Sequence, residues 1–577
     1  MRPDAKAEGP RQSMSWLHTW TSLILGWLLY AIFVTGTLSF FQHEITLWMK
    51  PELHQSVPHS SQMQQTQVAL NYLQRHHPEA ASWTIQLPNA RQNTTQINVR
   101  EQGEDPNARR GGRRITLDSA SGEVLEPRDT RGGSFLYRFH FELYGLPRIW
   151  ARWIVGIATM LMLVAIISGV ITHKKILKDF FTFRSGKGQR SWLDAHNATA
   201  VFALPFHLMI SFSGLLLLMF VLMPWGVERI YENRGAFLQE QRKALIAAPE
   251  RQQPRAAEQQ AQNERAAARS ANRTEHAANA SPRGEKRGQP PSHPAPLADL
   301  APMLSDAQQQ WKDNPIGSIK ITAPNTSHAK IELQALHGES IAYRNIYQSM
   351  QFNGVSGQNM TDKSAQLKPP SVPMGIYNVV TTLHEARGVD IALRWLLFFS
   401  GIIGTLMVAT GLILWCVKRA PQQQKQGFKS LGYRTVEVTN IAAIIGLPIA
   451  CAAYFYANRL IPAQLENRLE WEIRSFFILW LITLMYAMCR THRQAWLELL
   501  AFASVSFALL PVINVLTGGQ PLWRAMAHGQ WMIASFDIAL WVLALLFACA
   551  FYKVKKHQGL PLKKAKVPKT PLQEAEA

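Results

Sequence analysis

The chain has 577 residues, 47% hydrophobic and 17% charged, with a formal net charge of +21. Its apolar residues gather into long runs separated by polar blocks, which excludes a single soluble globular domain. The surplus of Lys and Arg falls in loops beside those runs and in a basic linker, so membrane topology accounts for it and no nucleic acid is implied.

In chain order, eight runs are long enough to cross a bilayer, at about 16–41, 150–172, 197–224, 394–417, 437–457, 473–489, 495–516 and 531–552. The expected fold class is an α-helical polytopic membrane protein with two small α+β exported domains and an internal two-fold repeat. The first run is too long for a signal peptide and lacks a small-x-small cleavage site, so it reads as an anchor. The basic segments KKILKDFFTFRSGKGQR, VKRAPQQQKQGFK, CRTHR and KVKKHQGLPLKKAK fall on one side with both termini. The positive-inside rule makes that side cytoplasmic. The chain then divides as 1–41, N-terminus and first span; 42–149, first exported domain; 150–224, two spans and a cytoplasmic loop; 225–296, a basic insert; 297–393, second exported domain; 394–420, fourth span; and 421–577, a C-terminal membrane domain with a basic tail.

In the first exported segment, SQMQQTQVALNYLQRHHP reads as a helix ended by Pro78, followed by strand-like runs ASWTIQLP, TQINVRE and RRITLDSASGEVLE with a Ser-Gly turn. The second repeats the plan. The helix LADLAPMLSDAQQQW precedes GSIKITAP, AKIELQA, AYRNIYQ and SMQFNGVSGQ. Between them the Gln-, Ala-, Arg- and Pro-rich insert has almost nothing with which to build a core. The four cysteines, Cys416, Cys451, Cys489 and Cys549, lie in or beside spans, and packing is their expected role.

Aligning the spans exposes a repeat. His18 and His196 each stand 18 residues ahead of a glycine, Gly36 or Gly214. Arg152-Trp153 and Arg394-Trp395 each begin 17 residues ahead of another, Gly169 or Gly411. A hydroxyl residue precedes every one of these glycines. The repeat pairs His18 with His196 at one membrane face and His140 with His384 at the other. Imidazoles facing a shared axis at each face suit bis-histidine ligation of two haem irons. Zinc or copper would compete, but each exported cluster is expected to lack nearby carboxylate and thiolate partners. With no CxxCH, the haem would be b-type. His207 and His173 break the symmetry, standing where the repeat has Leu29 and Trp415. His207 lies 11 residues after His196, three turns along one helix face. It is the rival for the place of His196 or His140, or an aid to electron or proton movement. A lone histidine at a helix end is more often a solvated or capped surface residue, and His43, His54, His59, His76, His77 and His528 read so. In the last four spans Asp537 is the only obvious acid, expected to pair with a polar neighbour or to sit on a proton or quinol path.

The segments WLHTW, TGTLSFFQHEI, LDSASGEVLE, FHFELYG, ISGVITHKK, DFFTFRSGKGQRSWLDAHN, LPFHLMISFSG, LHEARGVDIALRW and ATGLILW resemble the PepSY-associated transmembrane helix family of bacterial inner-membrane proteins, over about residues 12–420. The resemblance implies a di-haem reductase of ferric siderophores that passes electrons across the inner membrane. Tyr144 stands where some relatives have a second histidine. The long insert and the extra C-terminal spans depart from the family pattern. No flavin or nicotinamide motif is visible, so the electrons are expected from a cytoplasmic reductase or from membrane quinol. A different class competes: a non-enzymatic membrane protein whose PepSY domains bind peptides or regulate a protease.

Overall fold

The computed structural model describes residues 9–59, 61–104, 111–172, 184, 186–232, 235–236, 293–344, 346–361 and 369–557. His173, most of the insert at 225–296 and the end of the basic tail lie outside the described residues. The chain divides into two units. Unit one comprises Met1–Pro51, Arg128–Ser211 and Leu396–Ala577; unit two comprises Glu52–Pro127 and Phe212–Trp395.

Eight helices are long and apolar enough to cross a membrane. They are α1 (Pro10–Ser39), α5 (Arg148–Thr172), α7 (Leu204–Leu222), α10 (Ile391–Gln426), α11 (Leu431–Leu460), α12 (Arg468–Cys489), α13 (His492–Leu516) and α14 (Trp531–Lys556). Among the shorter helices are α2 (Gln42–Trp48), α3 (Gln62–His76), α4 (Gly133–Glu142), α6 (Gln189–Phe202), α8 (Ala301–Trp311) and α9 (Val372–Glu385).

Two prolines shape these helices. The run expected as one span at 197–224 is broken at Ala203 into α6 and α7. Pro205 has no N–H for the Val201 carbonyl and its ring crowds that carbonyl, so the helix restarts. His196 therefore sits on α6 and His207 on α7, and a single continuous face does not join them. In α11, Pro448 follows a π turn at Ala442–Gly446. Pro448 leaves the Ile444 carbonyl without its helical donor, and the Tyr30 hydroxyl donates to that carbonyl at 3.1 Å.

The helices after residue 420 form their own core around Ile441, Ile445, Leu499, Leu500 and Ala503. They also grip two segments of the N-terminal part of unit one. Trp48 Nε1 donates to Asp537 at 2.8 Å, and Asn514 Nδ2 to the same carboxylate at 3.3 Å. Arg459 donates to the Trp48 carbonyl and to Asn514 Oδ1. Nearby, Arg468 and Glu472 pair at 3.0 Å with side chains 2% and 0% exposed. Around them, Thr130 donates to Glu472 at 2.7 Å, Arg128 to the Asn458 carbonyl at 2.8 Å, Arg468 to the Asp129 carbonyl at 3.0 Å and Tyr454 to the Gly132 carbonyl at 3.0 Å. Asp537 thus has the polar partners expected of it. It is not the only buried acid here, because Glu437 and Glu472 are equally enclosed. The helices run past the apolar windows, and Glu472 lies in such an added turn while Glu437 stands at the very start of its window. Of the cysteines, Cys416 and Cys451 are buried, while Cys489 and Cys549 are exposed.

Unit two is built on one antiparallel sheet of seven strands in the order β4-β3-β2-β1-β5-β6-β7. The strands are β1 (Ser82–Gln86), β2 (Thr95–Arg100), β3 (Arg113–Leu117), β4 (Val124–Leu125), β5 (Ile316–Thr322), β6 (Lys330–Gly338) and β7 (Tyr347–Asn353). The sequence places a small α+β domain in each loop; in the structure their strands share this sheet, joined where Trp83 faces Ile321 and Ile85 faces Ile319. These alternate positions bury Trp83, Ile85, Ile97, Val99, Ile319, Ile321 and Leu333 against α3 and α8, through Leu70, Leu73, Leu304 and Trp311. AYRNIYQ, expected as a strand, is a 3-10 turn at Ile341–Tyr343 leading into β7. His54, expected at the surface, is fully buried in this unit.

Candidate functional site

Three of the marked histidines of unit one line one cavity of about 290 Å³. His18 comes from α1, His196 from α6 and His207 from α7, with α5 and α10 closing the walls. The rings of His18 and His196 lie with centres 6.2 Å apart and planes at 65°. Two imidazoles this close would be able to hold one metal ion together.

Both rings are held in the same way. His18 Nδ1 donates to the Ala165 carbonyl at 2.8 Å, and His196 Nδ1 to the Met407 carbonyl at 2.9 Å. A carbonyl only accepts, so Nδ1 carries the proton and Nε2 is each ring's basic nitrogen. A ring N–H reaching a helical carbonyl from the side must pass over the residue four positions on. In both helices that residue is glycine. A Cβ at Gly169 would stand 3.2 Å from His18 Cε1, and one at Gly411 would stand 3.1 Å from His196 Cε1. The hydroxyl before each glycine turns back onto the same carbonyl, Ser168 to Ala165 at 3.1 Å and Thr410 to Met407 at 2.9 Å.

His140, on α4, repeats the arrangement against α1. Its Nδ1 donates to the Ile32 carbonyl at 2.8 Å, Thr35 bonds back to that carbonyl at 3.4 Å, and a Cβ at Gly36 would stand 2.6 Å from the ring. Burial pushes the His140 imidazole below its ordinary pKa, against the Ile32 hydrogen bond. Two residues on, Glu142 takes Arg138 at 2.9 Å and Arg152 at 2.6 Å. Burial raises its pKa, but these guanidinium bonds outweigh burial and hold the carboxyl below its usual range. Tyr144 stacks on Phe477 at 5.4 Å. His384 belongs to unit two, where its Nδ1 is hydrogen bonded to the Ser213 hydroxyl at 2.8 Å.

His207 differs from the others. It is fully buried, and neither ring nitrogen has a hydrogen-bond partner of good geometry. The Ala200 backbone gives it a weaker polar contact. One end of the same cavity carries Trp415, Lys418 and Arg419, with the indole Nε1 of Trp415 buried and without a partner. The cavity is therefore apolar along its walls, basic at its imidazoles and rich in donors at one end. Among the described residues no cluster of three or more His, Cys, Asp or Glu is grouped to hold a bare metal ion.

Eight helices of this length and apolarity define a polytopic membrane protein. The family model described as the PepSY-associated TM region matches residues 15–418, and the chain belongs to that family. No curated protein matches it significantly. The match stops short of α11 to α14, whose polar grip on Trp48 and on residues 128–132 carried no motif by which the sequence could announce it.

Proposed function

We propose that this protein is a b-type di-haem oxidoreductase of the bacterial inner membrane, moving electrons outward to reduce a periplasmic ferric chelate such as a siderophore. The observation that carries the reading is the His18–His196 pair, 6.2 Å between ring centres, with each Nδ1 engaged by a backbone carbonyl. That second bond fixes the tautomer and leaves Nε2 of each ring as the nitrogen that would bind iron. The donor set supports the fit: apolar walls suit a macrocycle, and Trp415, Lys418 and Arg419 suit its carboxylates. Haem, when bound, supplies a one-electron carrier. The chain's own residues do the rest. His18 and His196 hold the cytoplasmic site, Gly169 and Gly411 let the rings approach, and His207 stands beside them as an alternative ligand or a polar relay.

For the second haem, the two-fold repeat of the sequence names His140 and His384 as the candidate ligands. The loops around 42–149 and 225–393 form the periplasmic PepSY part, and both termini are cytoplasmic by the positive-inside rule. Each Fe(III) takes one electron and becomes Fe(II), whose lower charge weakens its hold on oxygen-rich chelators. The electrons come from a cytoplasmic reductase or from membrane quinol.

The test is spectroscopic. Full-length protein made with haem supplied carries two b haems per chain, and His18→Ala or His196→Ala removes or converts to high spin only one of them. A folded but colourless preparation overturns the reading and favours a non-enzymatic peptide-binding or protease-regulating protein. Reporter fusions at residues 185 and 425 should be cytoplasmic, and at 100 and 330 exported.

A further inference from the structure

Unit two holds a second cavity, of about 230 Å³, beside the C-terminal end of α9. Its lining includes Thr382, Arg344, Arg387, Tyr343, Tyr347 and Asp390. Thr382 is 5% exposed, and its hydroxyl has no hydrogen-bond partner. A helical threonine usually closes onto a carbonyl one turn back. The neighbouring Thr381 does so, donating to the Tyr377 and Asn378 carbonyls at 2.6 and 3.2 Å, and Thr382 does not. A buried hydroxyl left over is costly, and this one lines the cavity.

The charges around it are unevenly committed. Asp390 Oδ1 accepts from the Leu393 N–H at 2.8 Å and caps α10. Glu339, also in the lining, accepts from Gln348 at 3.0 Å. Glu385 is taken by Arg344 at 2.8 Å, with Arg387 at 3.7 Å. Arg344 has its Nε buried and without a partner. Asp390 and Glu339 thus each have an N–H donor and Glu385 has both arginines, while the Thr382 hydroxyl and the Arg344 Nε–H remain unmet. A ligand with acceptor oxygens would satisfy both the Thr382 hydroxyl and the Arg344 Nε–H. A space of about 230 Å³ has room for a carboxylate and the start of the chain that carries it.

We propose that this cavity binds a carboxylate arm, with the Thr382 hydroxyl and the Arg344 guanidinium as its donors and Arg387 at its rim. Two molecules carry such an arm here: a ferric chelate approaching from outside, or the propionate of a haem held by His384, two residues after Thr382. The use of the site in electron delivery rests on the haem reading; the site itself does not.

The experiment is equilibrium dialysis of full-length protein, prepared with and without haem, against labelled citrate and ferric citrate, beside Thr382→Val. The valine keeps the shape and removes only the hydroxyl. Citrate binding with or without haem, weakened tenfold or more in Thr382→Val, establishes the site for a free chelate. No citrate binding, with a lowered haem content or altered low-spin EPR signal in Thr382→Val, assigns it to a propionate. Wild type and Thr382→Val alike in both citrate binding and haem signal overturn the proposal, even where two haems are present. A colourless protein that binds citrate through Thr382 keeps the site and sinks the reductase reading.

Discussion

Replacing Gly36 by alanine tests the way a histidine is seated on a helix. The new Cβ would meet His140 Cε1 at 2.6 Å and Nδ1 at 2.7 Å. Carbon atoms rest about 3.5 Å apart, so the ring must retreat by roughly 0.9 Å. The ring cannot do so and keep its 2.8 Å bond to the Ile32 carbonyl. Losing that bond costs about 0.5–1.5 kcal/mol, and crowding a packed interface about 1–3 kcal/mol. Against this, alanine gains about 0.5–1 kcal/mol over glycine in a helix interior. The net loss is about 2 kcal/mol. At Gly169 and Gly411 the nearest ring atoms would be 3.2 and 3.1 Å away. The shortfall there is only about 0.3–0.4 Å, which small shifts absorb, and the helical gain nearly cancels it. Thermal unfolding of the three variants in one detergent, followed by tryptophan fluorescence, should rank Gly36→Ala clearly below wild type and the other two near it. A Gly36→Ala protein as stable as wild type, or more stable than both others, refutes the seating argument.

Three other perturbations probe the frame. Burial raises the pKa of the Asp118 carboxyl, but amide bonds from Ser121 and Ala120 and hydroxyl bonds from Ser56 and Ser121 outweigh it and hold the group below its usual range. Its stabilisation is therefore complete above about pH 3.9, the unfolded value, and is lost as pH falls through the lower folded value. Asp118→Ala should speed hydrogen exchange at residues 119–123 near pH 7, by an amount worth about 1 kcal/mol, and the difference from wild type should shrink toward pH 2; a constant difference across that range would contradict the sign. Arg468→Ala leaves Glu472 as an uncompensated buried charge and should cost about 3–5 kcal/mol, whereas Arg468→Met with Glu472→Leu should cost much less; equal losses in chemical unfolding would count against a buried pair. Trp48→Phe removes one donor from Asp537 and should lower stability by about 1–3 kcal/mol, with an unchanged unfolding midpoint as the contrary result.

Much of this was legible because the bilayer demands long apolar runs, and all eight expected spans have a matching helix. The boundaries were less legible. Glu472 and Arg468 look like loop residues by hydropathy, yet they neutralise one another inside the helix bundle. The break at Ala203 was written in Pro205, but the apolar run around it masked the signal. The hydroxyl-glycine pairs were visible as a spacing pattern. Their meaning, a carbonyl at one position and a missing Cβ four residues later, needs the partner ring to be seen. The shared sheet was beyond sequence reading, since alternation in β1 and β5 specifies a buried face and not a neighbour.

That β1–β5 pair sets a schedule for synthesis. β1 is complete by Gln86, whereas β5 does not begin until Ile316. Roughly 230 residues separate them, about 12–45 s of translation at ~5–20 residues per second. For that interval the nascent chain holds a meander whose innermost strand, carrying Trp83 and Ile85, has an open edge ready to pair with any passing strand. A chain cut short between the two loops would keep that edge permanently, so truncation products should aggregate even where the first membrane helices have inserted correctly.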